Sequence, residues 1–315
     1  MSAETIFVVA ELGSAAPSMV VGGMSILARK LREAERRGTE RALVACAGSI
    51  PVLTTLAVER VAEATPPPVG ALVIRADELA GVRISSPETL REAERQLFCS
   101  LQTSHQGPMD TLVNRHFSLR LTKLLAKTSI TPNQLTVLAL VLGIVAAWFI
   151  AAFGRTGLLV GAGLIFAQWI LDSCDGEIAR LKLQFSRLGQ WLDNVCDDVT
   201  DVSLLLAFGI AAGYPLVGVA GAVMRVFSQG VLYAQVARLG DFNKFRWWFE
   251  SEKASLDEVY DWKSPLTWVR SLGRRDVIVF FWIVLAAVGL PGIALAYGAV
   301  IAGVYLVLTL LDLAL

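Results

Sequence analysis

The chain has 315 residues, 55% hydrophobic and 18% charged, with a mean hydropathy of +0.57 that is too high for an ordinary soluble protein. Its 28 basic and 28 acidic side chains cancel, so no global basic field argues for nucleic acid. Charge is dense over residues 1–127 and sparse beyond, which predicts a water-soluble front end joined to a membrane body, about two domains in all.

Ile6–Ala10 is a short apolar run without a basic flank, so it reads as a buried strand and not as a secretory signal. Met24–Arg37 has helical periodicity, with Ile26, Leu27, Leu31 and Ala34 on one side and Arg29, Lys30, Arg32 and Glu33 on the other. Ala42–Ala47 and Ala71–Ile74 read as further strands, with Pro66-Pro67-Pro68 breaking structure between them. Ser86-Pro87 has the form of an N-cap with proline at the first helical position, opening a helix to about Leu101. This alternation predicts a small α/β domain with a parallel sheet over residues 1–104. Cys46, Cys99, Cys174 and Cys196 have no zinc-ligand spacing and read as reduced thiols.

A polar linker at 103–109 precedes Leu112–Lys127, where Arg115, Arg120, Lys123 and Lys127 alternate with leucines in a basic amphipathic pattern suited to a headgroup layer. Beyond it lie about six stretches long and apolar enough to span a bilayer: 133–153, 157–180, 188–212, 215–238, 274–290 and 292–314. Lys and Arg cluster on one side of these spans, including the loop 239–273, whereas the other side has Arg155. That bias puts the front domain, both chain ends and the loop in the cytosol. Trp247, Trp248, Trp262 and Trp268 fit a loop lying at the interface. The fold expected over 110–315 is thus a six-helix transmembrane bundle preceded by a juxtamembrane helix.

The apolar pattern breaks at the cytosolic ends of the second and third spans, and ionisable groups inside spans are functional candidates. Asp172 and Asp175 lie three apart, on one helical face with Gly176 and Ala179. Gly189, Asp193 and Asp197 recur every four residues and make a second such face. Four carboxylates facing each other repel unless a cation lies between them, and oxygen-only ligands suit Mg²⁺ or Mn²⁺. Two such ions would clamp a pyrophosphate, with Arg180 at the mouth pairing with a phosphate. Arg225, near the middle of the fourth span, either pairs with Asp201 or binds an acceptor phosphate. Arg274-Arg275-Asp276 opens the fifth span as a topology anchor or as a second substrate contact. A cation transporter with a carboxylate-lined site is the reading from another class; it predicts mid-bilayer acids and broken helices.

The order D-x2-D-G-x2-A-R-x8-G-x3-D-x3-D runs without a gap from Asp172 to Asp197. It resembles the signature of the CDP-alcohol phosphotransferase (phosphatidyltransferase) family, as does Thr131–Thr136 at the start of the first span. The resemblance implies a homodimeric membrane enzyme of phospholipid or inositol-phosphate headgroup biosynthesis. Such an enzyme moves a phosphate-linked alcohol from a CDP-alcohol donor (CDP-diacylglycerol or CDP-inositol-like) to an acceptor hydroxyl, with release of CMP. It also implies that Asp172, Asp175, Asp193 and Asp197 hold the metal, with Asp197 as general base and Asp193 beside it. Gly176, Ala179, Arg180, Gly189, Pro132 and Asn133 would border the CDP moiety, and Arg225 and Arg275 are the acceptor candidates. The front segment, with Gly22-Gly23 before its basic helix, resembles part of a nucleotidyltransferase fold. It lacks that family's repeated glycines and basic residue after the first strand, which marks it as degenerate and catalytically inactive.

Overall fold

A computed structural model of the chain describes residues 5–10, 14–46, 48–51, 53, 55–63, 65–68, 71–101, 107–240, 242 and 271–314. Most of the predicted linker at 103–109 and the four tryptophans of the 239–273 loop lie outside the described residues. The chain divides into two compact units, one formed by Met1–Thr103, Leu119–Thr131 and Gly176–Phe185, the other by Ser104–Ser118, Pro132–Asp175 and Ser186–Leu315.

In the first unit the four-stranded sheet has the order β5-β4-β1-β6, with every pairing parallel. Its strands are β1 (Thr5–Val9), β4 (Arg41–Ala45), β5 (Ala57–Arg60) and β6 (Leu72–Arg75). Two short antiparallel ribbons accompany it, β2 (Val20–Val21) with β3 (Met24–Ser25), and β7 (Glu78–Leu79) with β8 (Val82–Arg83). β1 is central, and Ile6, Phe7 and Val8 are all buried, as a parallel sheet covered on both faces requires. Helix α1 (Ile26–Arg36) makes the crossover from β1 to β4 and packs Leu27, Leu31 and Ala34 on Ile6, Val8 and Val44. The Ser25 hydroxyl caps it by accepting from the Ala28 amide at 3.2 Å. Helix α2 (Pro87–Ser100) starts as its sequence indicated, from a Ser86 N-cap with Pro87 in the first turn. Thr89 takes the place of glutamate in a reciprocal capping box.

A single π-helical turn at Asp110–Asn114 leads into α3 (Arg115–Leu125). The small and polar positions Asn114, Ser118, Thr122 and Ala126, four apart, are buried, whereas Leu112, Phe117 and Leu124 are exposed.

The second unit is built from helices α4 (Pro132–Ala152), α5 (Gly154–Leu181), α6 (Arg187–Ala211), α7 (Pro215–Leu239), α8 (Arg275–Val288) and α9 (Pro291–Ala314), of which α5 gives its last turns to the first unit. Four of them, α4, α5, α7 and α9, are long and apolar enough to cross a membrane. α6 has the length but carries Asp193, Asp197, Asp198 and Asp201, and α8 is 14 residues long. Each predicted span coincides with one of these six helices. The breaks between them follow backbone chemistry: left-handed glycines at 154, 213 and 289 stop or start helices, and Pro215 and Pro291 open α7 and α9. The core gathers Ile150, Ile165, Trp169, Phe208 and Trp282. Helices come close where side chains vanish. A Cβ added to Gly143 on α4 would lie 2.5 Å from the Thr200 methyl on α6.

All four cysteines are free thiols, as their spacing predicted. Burial pushes the Cys46 thiol up to about 11, so it stays protonated and shielded near neutral pH, whereas Cys99 is exposed. Iodoacetamide treatment of folded protein, read by peptide mass, is expected to modify Cys99 first and to spare Cys46 until denaturation. Equal rates at the two positions would contradict this packing.

Candidate functional site

Two helices carry the acidic motif, and each is one continuous helix through it. The broken helices expected of a transporter are absent from α5 and α6. On α6 the four-residue spacing stacks Asp193, Asp197 and Asp201 along one face, while Asp172 projects from α5. Carboxylate oxygens of Asp172, Asp193 and Asp197 all lie within 4.8 Å of one another, and all three residues are half-buried.

Arg275, the first residue of α8, is drawn into this cluster. Its guanidinium reaches Asp172 at 3.0 Å, Asp197 at 2.8 Å and Asp201 at 3.5 Å. The sequence offered Arg275 as an anchor or a substrate contact, and the structure gives it a third place as counter-charge to the motif carboxylates. Arg225 takes up the pairing that its sequence position left open. One Nη bonds Asp198 at 2.9 Å and Asp201 at 3.0 Å. Asp198 also accepts from Gln229 Nε2 at 2.7 Å and from the Tyr233 hydroxyl. Four carboxylates, Asp172, Asp197, Asp198 and Asp201, thus share two guanidinium groups, and Asp193 adds a fifth acid, an excess of negative charge that a divalent cation would offset. The oxygen-only donor set fits Mg²⁺ or Mn²⁺ better than a softer metal.

Asp175 stands apart from the three clustered acids. It is buried, and one of its oxygens accepts from the Thr136 hydroxyl of α4 at 2.5 Å. The same hydroxyl lies 3.2 Å from the Pro132 carbonyl, so the first turn of α4 and the acidic face of α5 are joined through one threonine. At the start of α6, the Ser186 hydroxyl accepts from the Gly189 amide at 2.9 Å. A Cβ on Gly189 would lie 3.0 Å from Asn133 Oδ1, which sets Asn133 and Gly189 side by side. Gly176, Ala179 and Arg180 occupy the last turns of α5. A Cβ at 176 would lie 3.3 Å from an Arg180 Nη, so glycine there makes room for the guanidinium.

Two cavities flank Arg275. One, of about 220 Å³, is lined by Asp110, Trp169, Asp172, Ser173, Arg274 and Asp276 among others. There the indole of Trp169 donates to Asp110 at 2.9 Å, and Asp276 accepts from the Met109 amide at 2.9 Å. Burial, then the neighbouring Asp276, pushes the Asp110 carboxyl up to about 6. The other cavity, also about 220 Å³, is lined by Arg225, Ser228, Gln229, Arg275 and Tyr305 among others. Sequence reasoning named Thr136 only within Thr131–Thr136 and passed over Gln229, Tyr233 and Tyr305, because single polar residues in apolar helices carry no spacing signal until their partners are placed.

Residues 129–256 match the family model described as CDP-alcohol phosphatidyltransferase. A bifunctional IPC transferase and DIPP synthase of Thermococcus kodakarensis is 35% identical over 140 residues, which is 43% of this chain and 30% of that protein. An archaetidylinositol phosphate synthase of Pyrococcus horikoshii is 37% identical over 95 residues, 30% of this chain and 47% of the relative. A phosphatidylinositol phosphate synthase of Corynebacterium glutamicum is 32% identical over 120 residues, 36% of this chain and 53% of the relative. The chain therefore spans from under a third to about half the length of these relatives. The matched segment contains the whole stretch from Asp172 to Asp197, so the motif of this chain lies inside a region similar to the CDP-alcohol phosphatidyltransferase family.

Proposed function

We propose that the protein transfers a phosphate-linked alcohol from a CDP-alcohol to an acceptor hydroxyl and releases CMP. The observation that carries this reading is the convergence of Asp172, Asp193 and Asp197 at the motif. Mg²⁺ or Mn²⁺, two ions by the family resemblance, held by these acids with Asp175, would supply charge neutralisation for the donor pyrophosphate. Asp197 takes the proton of the acceptor hydroxyl. The acceptor oxygen then bonds to the β-phosphorus, and the bond from that phosphorus to the bridging oxygen breaks, so CMP leaves with that oxygen. Asp193, one helical turn away, would hold the metal beside Asp197. Gly176, Ala179, Arg180, Gly189, Pro132 and Asn133 border the CDP moiety in this reading, Arg180 as a phosphate partner.

The acceptor in this proposal is an inositol phosphate. The products named for the relatives from Pyrococcus and Corynebacterium support it. The cavity beside Arg225 and Arg275 offers two guanidinium groups to the acceptor phosphate, with Gln229 and Tyr305 for ring hydroxyls. The donor in this reading is CDP-diacylglycerol or a CDP-inositol-like compound.

All six helices α4–α9 cross the membrane in this reading, α6 and α8 being tolerated because their charges face the site. α3 lies in the headgroup layer with Leu112, Phe117 and Leu124 toward lipid. The distribution of Lys and Arg places the active site and the front domain, residues 1–104, in the cytosol. The front domain is catalytically inactive, and the active form is a homodimer.

Purified protein with Mg²⁺ or Mn²⁺ is expected to release CMP from one member of a matrix of CDP-alcohols and acceptors, with product mass identifying both partners. Chelation with EDTA stops the release, and added metal restores it. Asp193→Asn lowers kcat by about a hundredfold or more; full CMP release by that variant would sink the metal-site assignment. Arg225→Ala is expected to raise the acceptor KM about tenfold while leaving the donor KM nearly constant. It also lowers the melting temperature, because Asp198 and Asp201 lose their shared partner. Equal rises in both KM values would remove Arg225 from the acceptor site.

A further inference from the structure

The basic face of α1 is spent on the end of α5. Arg29, Arg32 and Arg36 recur at helical spacing on one side of α1. Arg29 Nη1 donates to the Leu181 carbonyl at 2.7 Å, and Arg32 Nη1 donates to the Lys182 carbonyl at 3.3 Å. The Arg36 guanidinium lies 4.4 Å from the centre of the Phe185 ring. Arg29 is 3% exposed, an unusual burial for a guanidinium on a helix whose sequence reads as half solvated.

Its partners are the carbonyls that a helix leaves unpaired at its C-terminus, where positive charge also complements the dipole. α5 closes with Leu183 in the left-handed region at φ +54, strained for a residue other than glycine, while the Gln184 amide bonds back to the Ala179 carbonyl at 2.8 Å. A second support comes from the turn before α1. Gly22 and Gly23 have φ of +59 and +77, and a Cβ at 22 would lie 2.6 Å from a Leu181 methyl. A Cβ at 23 would collide with the Ala126 carbonyl oxygen. Arg29 Nη2 also reaches the Val21 carbonyl at 3.4 Å, so one guanidinium joins this turn to the end of α5. From below, Lys182 Nζ bonds the Thr128 and Ile130 carbonyls at 2.8 and 3.1 Å.

Leu181 follows Arg180 directly, and Ala179 and Gly176 lie in the same two turns. We propose that α1 and the Gly22-Gly23 turn clamp the last turn of α5, and that Arg29 is a positioning residue for the donor-binding residues Gly176, Ala179 and Arg180. The proposal rests on the CDP-transfer reading given above. It assigns the front domain a mechanical task in place of nucleotidyl transfer. Charge alone does not suffice for this task, because the planar fork of arginine serves two carbonyls at once and lysine presents a single point.

The test uses the full chain, comparing wild type with Arg29→Ala, Arg29→Lys and Arg32→Ala by CMP-release kinetics and by hydrogen exchange over residues 176–185. Arg29→Ala is expected to raise the donor KM about tenfold while the acceptor KM stays within about twofold. Amide exchange over the last turn of α5 speeds up, and Arg29→Lys recovers only part of both effects. Arg32→Ala changes both in the same direction and by less. Should Arg29→Ala fail to fold, the half-buried Arg32 decides through the same two measurements. An unchanged donor KM in Arg29→Ala, beside a wild type that turns over normally, overturns the positioning role and leaves the transferase reading intact. Equal changes in both KM values, or loss of melting temperature with unaltered exchange, overturn it as well. A wild type that releases CMP from no CDP-alcohol overturns the transferase reading and the positioning role together.

Discussion

Like charges brought together inside a helical bundle are the constraint from which the rest of the second unit follows. Two carboxylates about 5 Å apart repel by roughly 3 kcal/mol at an effective dielectric of about 20. Asp172, Asp193 and Asp197 are gathered within that range, and Asp201 lies one turn further along α6. Arg275 lowers this cost by touching three of the four acids, and it arrives from α8, far along the chain. Packing of α5, α6 and α8 is therefore a condition for the acids to coexist. Trp282 of α8 and Phe208 of α6, with ring centres 5.9 Å apart, help to hold that arrangement from deeper in the bundle.

A second polar layer keeps the first in place. Asp198 sits one residue from the Asp193–Asp197 face and accepts from Arg225, Gln229 and Tyr233, all on α7. Arg225 passes the connection back to Asp201. In a low-dielectric bundle each bond of such a network is stronger than it would be in water. It also helps α6 to carry so many acids and still pack as a helix: one guanidinium offsets part of the charge on the side facing α7, and the other part of the charge on the side facing α8.

Much of this was legible in the sequence, for identifiable reasons. The helices α4–α9 were readable because apolar length and Gly-Pro punctuation are strong local signals, and β1, β4 and β6 because each is a compact apolar run. The four-residue spacing of Asp193 and Asp197 foretold a shared face of α6 because helical periodicity turns sequence distance into direction. Strand β5 was not legible: Ala57-Val58-Glu59-Arg60 is an exposed edge strand whose only credential is its pairing with β4. Nor did the sequence separate Asp175 from the other acids, since its partner Thr136 is 39 residues away on another helix. The arginines of α1 read as a solvated face because nothing local reveals that a helix end elsewhere in the chain needs their protons.

Neighbouring residues at the start of α8 face different duties. Arg275 looks into the carboxylate cluster, whereas Asp276 accepts from the Met109 and Asp110 amides at 2.9 and 3.4 Å and so seats the turn ahead of α3. One turn of helix therefore anchors two neighbourhoods at once, the carboxylate cluster through Arg275 and the backbone at 109–110 through Asp276.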